Sequence, residues 1–309
     1  MLILFFAGIV GGGIYYEVTR PGPLSAEQNV FIPKGASSRG VAQRLAEAKV
    51  IRFPLLFLAA ARINGLDKHL RAGEYVFAPE VTMMSVMDKI ARGEVFYHKL
   101  TIPEGWATGK ILYTIALHPA LSGEFTVDVK EGELLPETYS FEYGTSRDSL
   151  ILQAKEAMKK TKEKIWAERD ANLPLKNIDE MVTLASIIEK ETSRPSERRL
   201  VASVFVNRLR KGMKLQTDPT VIYALTEGES EFGRTLKKKD LSVDSPYNTY
   251  KYYGLPPTPI CNPGPEALYA AAHPEKSSYL YFVADGTGGH NFATNLNDHN
   301  ANVRLWLKK

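Results

Sequence analysis

Hydrophobic and polar positions follow strand and helix periods along most of the chain and predict a mixed α+β protein. Three times, a short apolar run ends at a proline-containing turn and leads into an amphipathic stretch; the copies start near Phe31, Phe77 and Thr101. Each copy predicts a strand, a turn and a capped helix. Between the first two copies, residues 54–63 predict a buried helix and residues 72–77 predict a strand.

The second half of the chain contains the most regular helical pattern. Apolar side chains recur at helical spacing from Ile178 to Thr192, which predicts an amphipathic helix. Further elements are predicted by the same criteria: helices at 155–169, 197–210, 219–225 and 297–307, and a hairpin of strands 279–284 and 290–293.

The N-terminus is apolar. Residues 1–16 carry no charged side chain, and we expect them to form an uncleaved membrane anchor within residues 1–20. The segment is shorter than the roughly 20 residues of a comfortable spanning helix, so a cleaved signal peptide and a buried apolar element are the alternatives. Residues 19–23 predict a stiff spacer.

Composition narrows the class of protein. A chain of 309 residues with 44% hydrophobic side chains predicts about two globular domains. The net charge of +4 suits an anionic partner, such as a cell wall, a lipid surface or nucleic acid, without choosing among them. The single cysteine, Cys261, excludes an intrachain disulfide and has no nucleophile signature around it.

Common cofactor and nucleophile motifs are absent from the sequence. There is no phosphate-binding glycine loop, no dinucleotide fingerprint, no H-E-x-x-H and no G-x-S-x-G. His273, His290 and His299 lack the spacing of metal ligands. We therefore expect neither a metal nor a cofactor.

A carboxylate remains as the candidate for chemistry. On a helical wheel, Glu189 and Glu191 lie at opposite borders of the apolar arc of the 178–192 helix. A carboxyl held against apolar neighbours has a raised pKa, and a value of about 6 makes it a general acid near neutral pH. The wheel does not choose between the two glutamates.

Several long segments carry a family resemblance. The stretch 184–225 (LASIIEKETSRPSERRLVASVFVNRLRKGMKLQTDPTVIYAL), DSPYNTY at 244–250, AAAHP at 270–274 and YLYFVADG at 279–286 resemble the endolytic murein transglycosylase (YceG-like) family. Upstream, EGELLPETY at 131–139 is similar to that family's E-G-x-x-x-P-x-T-Y element.

The resemblance implies an architecture: a membrane anchor at 1–20, a LysM-like glycan-binding module at 24–97, and a catalytic domain at 98–309 with a lysozyme-like active-site helix. The strand–helix–helix–strand pattern of residues 28–80 by itself resembles the LysM fold, although a plain packing domain has the same pattern. The implied location is the bacterial inner membrane, with a single pass and an extracytoplasmic catalytic domain. The implied partners are peptidoglycan strands and their synthesis enzymes, not nucleic acid.

The resemblance also selects residues. In the wider group of lytic transglycosylases the catalytic glutamate precedes Ser or Thr, which fits Glu191-Thr192 and leaves Glu189 as the fallback. The resemblance places further cleft residues in a glutamine-containing loop, a Tyr-Asn element and the upstream segment: Gln216, Thr217, Asp218, Tyr247, Asn248, Glu137 and Thr138.

The implied chemistry is a lyase reaction in which Glu191 first protonates the glycosidic oxygen between MurNAc and GlcNAc. Its carboxylate then takes the proton of the MurNAc C6 hydroxyl, leaving a 1,6-anhydroMurNAc end. A peptidoglycan hydrolase is the nearest competing interpretation and needs a second carboxylate, which Asp218 or Glu137 could supply. A non-catalytic cell-wall scaffold and a cytoplasmic cofactor-dependent lyase are two more distant interpretations.

Overall fold

The computed structural model describes residues 2–230 and 232–308, with side chains described from residue 11 onward. The chain divides into two compact units: residues 1–99 with 140–145, and residues 100–139 with 146–309. Both contain helices and short strands, which confirms the predicted α+β class. The chain passes between the units three times, at 99–100, 139–140 and 145–146.

The first unit is built around an antiparallel strand pair. Strand β1 pairs with β2 so that Val30 lies opposite Tyr75. The predicted strand–helix–helix–strand order is confirmed, and the helix predicted at 54–63 has those bounds. The elements are α1 (Leu2–Thr19), β1 (Gln28–Ile32), α2 (Ser38–Glu47), α3 (Pro54–Ile63), β2 (Gly73–Phe77), α4 (Met83–Arg92) and the start of β3 (Tyr97–Thr101).

Local sequence sets the helix ends in this unit. The side chains of Ser37 and Thr82 accept hydrogen bonds from backbone N–H groups in the first turns of α2 and α4. Helix α4 ends at Gly93, whose φ of 71° is the left-handed conformation that glycine adopts without strain. The core between these elements includes the fully buried Phe57 and Tyr75.

The N-terminal segment only partly follows expectation. Helix α1 forms, but the predicted anchor falls largely outside the residues whose side chains are described. Among the residues that are described, no helix combines the length and the apolar character needed to cross a membrane.

The segment predicted as a spacer packs against the first unit. The Gly22 N–H donates to the carbonyl of Glu80 at 3.1 Å. A Cβ on Gly22 would lie 2.2 Å from the carbonyl oxygen of Val81, so only glycine fits this close backbone contact. The segment predicted to be a stiff spacer thus makes close backbone contact with Glu80 and Val81, which proline stiffness alone does not predict.

The second unit is mostly helical. The helix predicted at 155–169 begins eight residues earlier, because Ser146 caps it by accepting from the N–H of Ser149. The remaining predicted helices and the hairpin are confirmed to within one or two residues. Strands β5 (Thr138–Glu142) and β6 (Thr145–Ser146) are each divided between the two units, because residues 140–145 belong to the first. The other elements are α5 (Thr108–Leu117), β4 (Leu121–Ser122), α6 (Arg147–Ala167), α7 (Ile178–Glu191), α8 (Arg198–Arg210), α9 (Asp218–Thr226), α10 (Pro265–Ala272), β7 (Tyr281–Ala284), β8 (His290–Ala293) and α11 (Leu296–Trp306).

Helix α7 is the central element of this unit. It contacts α6, α8, α9 and α10, and residues 181–188 are all buried. The sequence predicted an amphipathic helix with one apolar arc, but Thr183 and Ser186 are buried too. Their hydroxyls donate to the carbonyls of Asp179 and Thr183, which makes their burial tolerable. A helix enclosed on every side holds its last residues in a fixed position.

Candidate active site

Glu191 is the last residue of the enclosed helix α7. The helix ends there because Thr192 adopts an extended conformation, with φ −142° and ψ 132°. The Glu191 side chain is partly buried, and its Oε2 accepts a hydrogen bond from Thr217 Oγ1 at 3.0 Å. A rigid helix and one hydroxyl therefore fix the carboxyl at the edge of the core.

Thr217 holds this carboxyl from the facing loop. It occupies the N-cap position of α9, yet its hydroxyl makes no cap bond and donates to Glu191 instead. Thr217 is itself buried, and its N–H donates to Thr249 Oγ1 at 3.1 Å. Thr220 shares a hydroxyl contact of 2.8 Å with the same Thr249 oxygen. The donor that faces Glu191 is thus fixed by a network of three threonines.

The surroundings of Glu191 favour the protonated acid. Burial, which removes water from the carboxylate, is the largest influence and raises the pKa of Glu191 to about 7. The Thr217 hydrogen bond and the charge of Arg208 lower this pKa, and the negative charge of Asp218 raises it. The acidic form is therefore populated near neutral pH.

Asp218 and Tyr250 form a second polar contact beside this carboxyl. The Tyr250 hydroxyl donates to Asp218 Oδ1 at 2.6 Å, which orients the aspartate. Burial, together with the charges of Asp218 and Glu191, raises the pKa of Tyr250, so it stays a neutral donor. Tyr250 belongs to the DSPYNTY segment, but its pairing with a residue 32 positions away left no signal in the sequence.

Arg208 is a further residue that the sequence did not reveal. It is buried in α8 and donates to the carbonyls of Leu215 at 2.6 Å and Leu280 at 2.7 Å. Burial lowers its pKa, and the charge of Glu191 opposes that shift. Arg208 thereby fixes the loop that carries Thr217 and adds positive potential near the carboxyl.

Comparisons with known proteins identify the family of the chain. The chain matches the YceG-like family over residues 30–305. This chain belongs to the YceG-like family. Two curated relatives named endolytic murein transglycosylase and one solved structure illustrate the similarity.

The Bacillus subtilis (strain 168) relative is 31% identical, over 94% of this chain and 89% of its own length. The Streptococcus pneumoniae (strain D39) relative is 28% identical over 97% of this chain, which spans 63% of that longer protein. A 2.6 Å crystal structure of a yceG-like protein from Listeria monocytogenes has 32% identity and a TM-score of 0.54. It covers 89% of this chain, and this chain covers 98% of it.

Glu189 has different surroundings in this YceG-like protein. Its carboxylate pairs with Arg198 at 3.2 Å and accepts the N–H of Gly264 at 2.9 Å. Its side chain is only 6% exposed, and burial raises its pKa. Arg198 also contacts Glu104 at 3.2 Å. Both Glu189 oxygens thus have internal partners, as in a structural ion pair.

The loop residues predicted for the cleft differ in exposure: Asn248 is buried, Tyr247 is half-buried and Gln216 is exposed. Asn248 is fully buried, and its side-chain amide donates to the carbonyls of Leu241 and Val243 at 3.0 and 2.8 Å. It anchors the loop from within. Tyr247 is half-buried and contacts Thr258 through its hydroxyl at 2.6 Å.

Gln216 is exposed beside the site. Its φ of 50° is a left-handed conformation, and its N–H donates to the carbonyl of Thr249 at 3.2 Å. The two predicted loops are therefore joined through Thr249, which brings Gln216 and Thr217 together with the Tyr-Asn element.

Glu137 and Thr138 are exposed and lie at the start of β5. The Glu137 carbonyl accepts from the Ile102 N–H at 2.9 Å, and the Thr138 hydroxyl contacts that of Thr101 at 2.9 Å. These contacts belong to strand pairing, and neither brings the two residues to Glu191. Within residues 2–230 and 232–308, no group of three or more His, Cys, Asp and Glu side chains is placed to hold a metal ion.

Proposed function

We propose that this protein is an endolytic peptidoglycan lytic transglycosylase with Glu191 as its acid and base. The observation that carries the proposal is the partly buried carboxyl of Glu191, with a pKa of about 7 and one hydrogen bond to Thr217. Relatives named endolytic murein transglycosylase, matched over most of this chain, supply the substrate class.

One carboxyl of this acidity can perform both proton transfers. Protonated Glu191 donates its proton to the oxygen that links MurNAc C1 to GlcNAc. The bond between C1 and that oxygen then breaks, and GlcNAc leaves with the oxygen as a hydroxyl group. The carboxylate then removes the proton of the MurNAc C6 hydroxyl while the C6 oxygen bonds to C1. The strand is cut without consuming water, the product carries a 1,6-anhydro ring, and Glu191 ends protonated as it began.

The choice of Glu191 over Glu189 rests on their hydrogen-bond partners. A general acid needs an oxygen that substrate can approach, and Glu189 directs its oxygens to Arg198 and Gly264. Both glutamates are partly buried, but the Glu191 carboxyl accepts its hydrogen bond from a single hydroxyl, that of Thr217. The structure thus supplies a distinction that helical periodicity lacks.

The hydrolase interpretation depends on a second carboxylate near the first. Asp218 follows Thr217 directly, and its charge acts on Glu191, but its Oδ1 is engaged by the Tyr250 hydroxyl. We therefore assign Asp218 an electrostatic role, in which its charge adds to the effect of burial and favours the protonated form of Glu191.

Further parts of the proposal rest on sequence. Gln216, Thr217, Tyr247, Glu137 and Thr138 are proposed to contact the glycan, and Asn248 is proposed to shape the loop that does so. Residues 24–97 are proposed to bind glycan as a LysM-like module. Attachment to the inner membrane and contact with synthesis enzymes stay predictions from the apolar N-terminus and the family resemblance.

A digest of purified glycan strands tests the proposal. Wild-type protein should release fragments that mass spectrometry identifies by 1,6-anhydroMurNAc ends, and Glu191→Gln should lower the rate by at least about 100-fold. Glu189→Gln is the matched control on the same helix and should retain cleavage if it folds, which circular dichroism checks. Reducing ends in place of anhydro ends would indicate a hydrolase, and undiminished cleavage by Glu191→Gln would refute the assignment.

A further inference from the structure

A groove of about 1040 Å³ lies in the second unit beside helix α9. Its lining combines aromatic, aliphatic and cationic side chains, including Trp106, Tyr113, Tyr223, Ile222, Lys110 and Lys190. None of these residues belongs to the predicted site. A groove with apolar faces and a few polar groups is the usual form of a ligand site.

The groove is lined by residues that are adjacent in sequence to the candidate site. Lys190 is the neighbour of Glu191 at the end of α7, and Pro219 follows the Thr217–Asp218 pair at the start of α9. Tyr223 lies five residues after Asp218, which is about 7.5 Å along a helix axis. One wall of the groove is therefore the helix whose N-cap residue, Thr217, donates a hydrogen bond to the Glu191 carboxyl.

Hydrogen bonds with Asn262 hold the loop that carries Trp106. The Gly105 N–H donates to the carbonyl of Asn262 at 3.0 Å, and the Asn262 N–H donates to the carbonyl of Trp106 at 2.9 Å. The side-chain amide of the fully buried Asn262 adds a third bond to that carbonyl at 3.1 Å. These hydrogen bonds fix the backbone at Trp106, which limits the entropy lost when a ligand binds to this loop.

Tyr223, the aromatic residue that α9 contributes to the groove, is also held by neighbouring residues. The Tyr223 ring lies 4.9 Å from that of Tyr247, and its hydroxyl reaches Glu131 Oε2 at 3.5 Å. Glu131 also accepts from the N–H of Thr108 and from the amide of Asn262. At the end of α9, Gly228 has a φ of 75°, and a Cβ there would lie 2.6 Å from that of Ala107. This close approach joins the end of α9 to the Trp106 loop.

We propose that this groove binds a hexosamine ring of the glycan strand next to the bond that Glu191 cleaves, with Trp106 and Tyr223 as its apolar contacts. The inference rests on the proposed function and adds a subsite to it. Sugar rings present apolar C–H faces, and preformed aromatic side chains bind them with little loss of entropy. Lys110, whose Nζ lies 4.5 Å from the Trp106 ring centre, and Lys190 supply positive charge toward the lactyl carboxylate of a peptide-free muramic acid, or toward the carboxylates of the peptide stem where one is attached.

Calorimetric titration with soluble, peptide-free glycan strands tests the subsite apart from catalysis. In a Glu191→Gln background, Trp106→Ala should raise the Kd about 10-fold, and Trp106→Phe should raise it less. Trp166→Ala is the matched control. Its ring also lies under a cation, Arg169, at 4.0 Å, but it lines a different cavity of the same unit. Thermal melting of each variant verifies folding, and the same tryptophan variants with Glu191 intact are assayed for KM.

The outcomes separate the two proposals. Weaker binding and a higher KM for Trp106→Ala, with the Trp166 control unchanged, support the subsite. Binding weakened by Trp106→Ala in a protein that cleaves no strand would retain the subsite and reject the transglycosylase. Cleavage with Kd and KM unaffected by Trp106→Ala would reject the subsite and retain the enzyme. Failure of the Glu191→Gln protein to bind any strand would also reject the subsite.

Discussion

Replacing Glu191 by glutamine should stabilise the protein, and the gain should grow with pH. The pKa of this carboxyl is about 7 in the folded chain, against an ordinary value of 4.5. Below 4.5 the carboxyl is neutral in the folded and unfolded chain, so it contributes no pH dependence. Between 4.5 and 7 the folded chain keeps a proton that unfolding releases, so stability falls as pH rises. Above pH 7 the carboxyl is ionised in the folded and the unfolded chain, so the folded chain bears the full free-energy cost of a buried carboxylate.

The size of this cost follows from the pKa difference. Each pKa unit corresponds to about 1.36 kcal/mol, so the difference between 4.5 and about 7 sets a ceiling of roughly 3 kcal/mol. Partial exposure of the side chain reduces that value, and about 1–2 kcal/mol is expected for Glu191→Gln at about pH 8. Glutamine can still accept the Thr217 hydroxyl bond. A domain of this size should then melt about 3–6 °C higher.

Thermal denaturation at pH 5 and pH 8 measures the effect. The midpoint difference between Glu191→Gln and wild type should be small at pH 5 and clearly positive at pH 8. Glu189→Gln is the control. It should lower the melting midpoint at pH 8, because it deprives buried Arg198 of a charged partner. A Glu191→Gln variant that is equally stabilised at both pH values, or destabilised at pH 8, would show that the carboxyl does not carry this burial cost.

Two further predictions concern the loops around Glu191. Thr217→Val removes a hydrogen bond that lowers the pKa of Glu191, so the alkaline limb of the kcat/KM profile should move to higher pH. Asp218→Asn removes a negative charge that raises this pKa, so the same limb should move to lower pH. Each shift should be about 0.5–1 pH unit in rate profiles on glycan strands, and shifts in the same direction would contradict the electrostatic account. Asn248→Ala removes buried bonds to two carbonyls and should lower the free energy of unfolding by about 2–3 kcal/mol in urea titrations. An unchanged free energy would show that Asn248 does not anchor its loop.

Periodicity predicted most of the elements because their apolar faces are local in sequence. Helix α3, helix α7 and the C-terminal hairpin follow from spacing and turn residues alone. The start of α6 was missed because Ser146 caps it well before the charged stretch that marked the helix. The packing of Gly22 against Val81 was missed because a contact between segments so far apart leaves no periodic signal.

Contacts between residues far apart in sequence limited the prediction of the candidate site even more than that of the fold. The wheel placed Glu189 and Glu191 at equivalent borders, and only partners from outside their helix distinguish them: Arg198 for the first and Thr217 for the second. Thr217 was proposed through family resemblance, whereas Arg208 was missed even though its spacing from Val204 and Phe205 places it on the apolar face of α8. Its burial depends on the carbonyls of residues that follow α8 and of the later hairpin.

The threefold passage of the chain between the two units has a consequence for how the protein can be dissected. Residues 140–145 belong to the first unit, where Tyr143 packs on Phe31 at 4.8 Å and Phe141 on His98 at 6.0 Å. A fragment cut after residue 99 would lose these rings and present an aromatic surface to water. Recombinant versions of the first unit should therefore carry residues 140–145 grafted through a short linker, and fragments that end at the first crossing should aggregate.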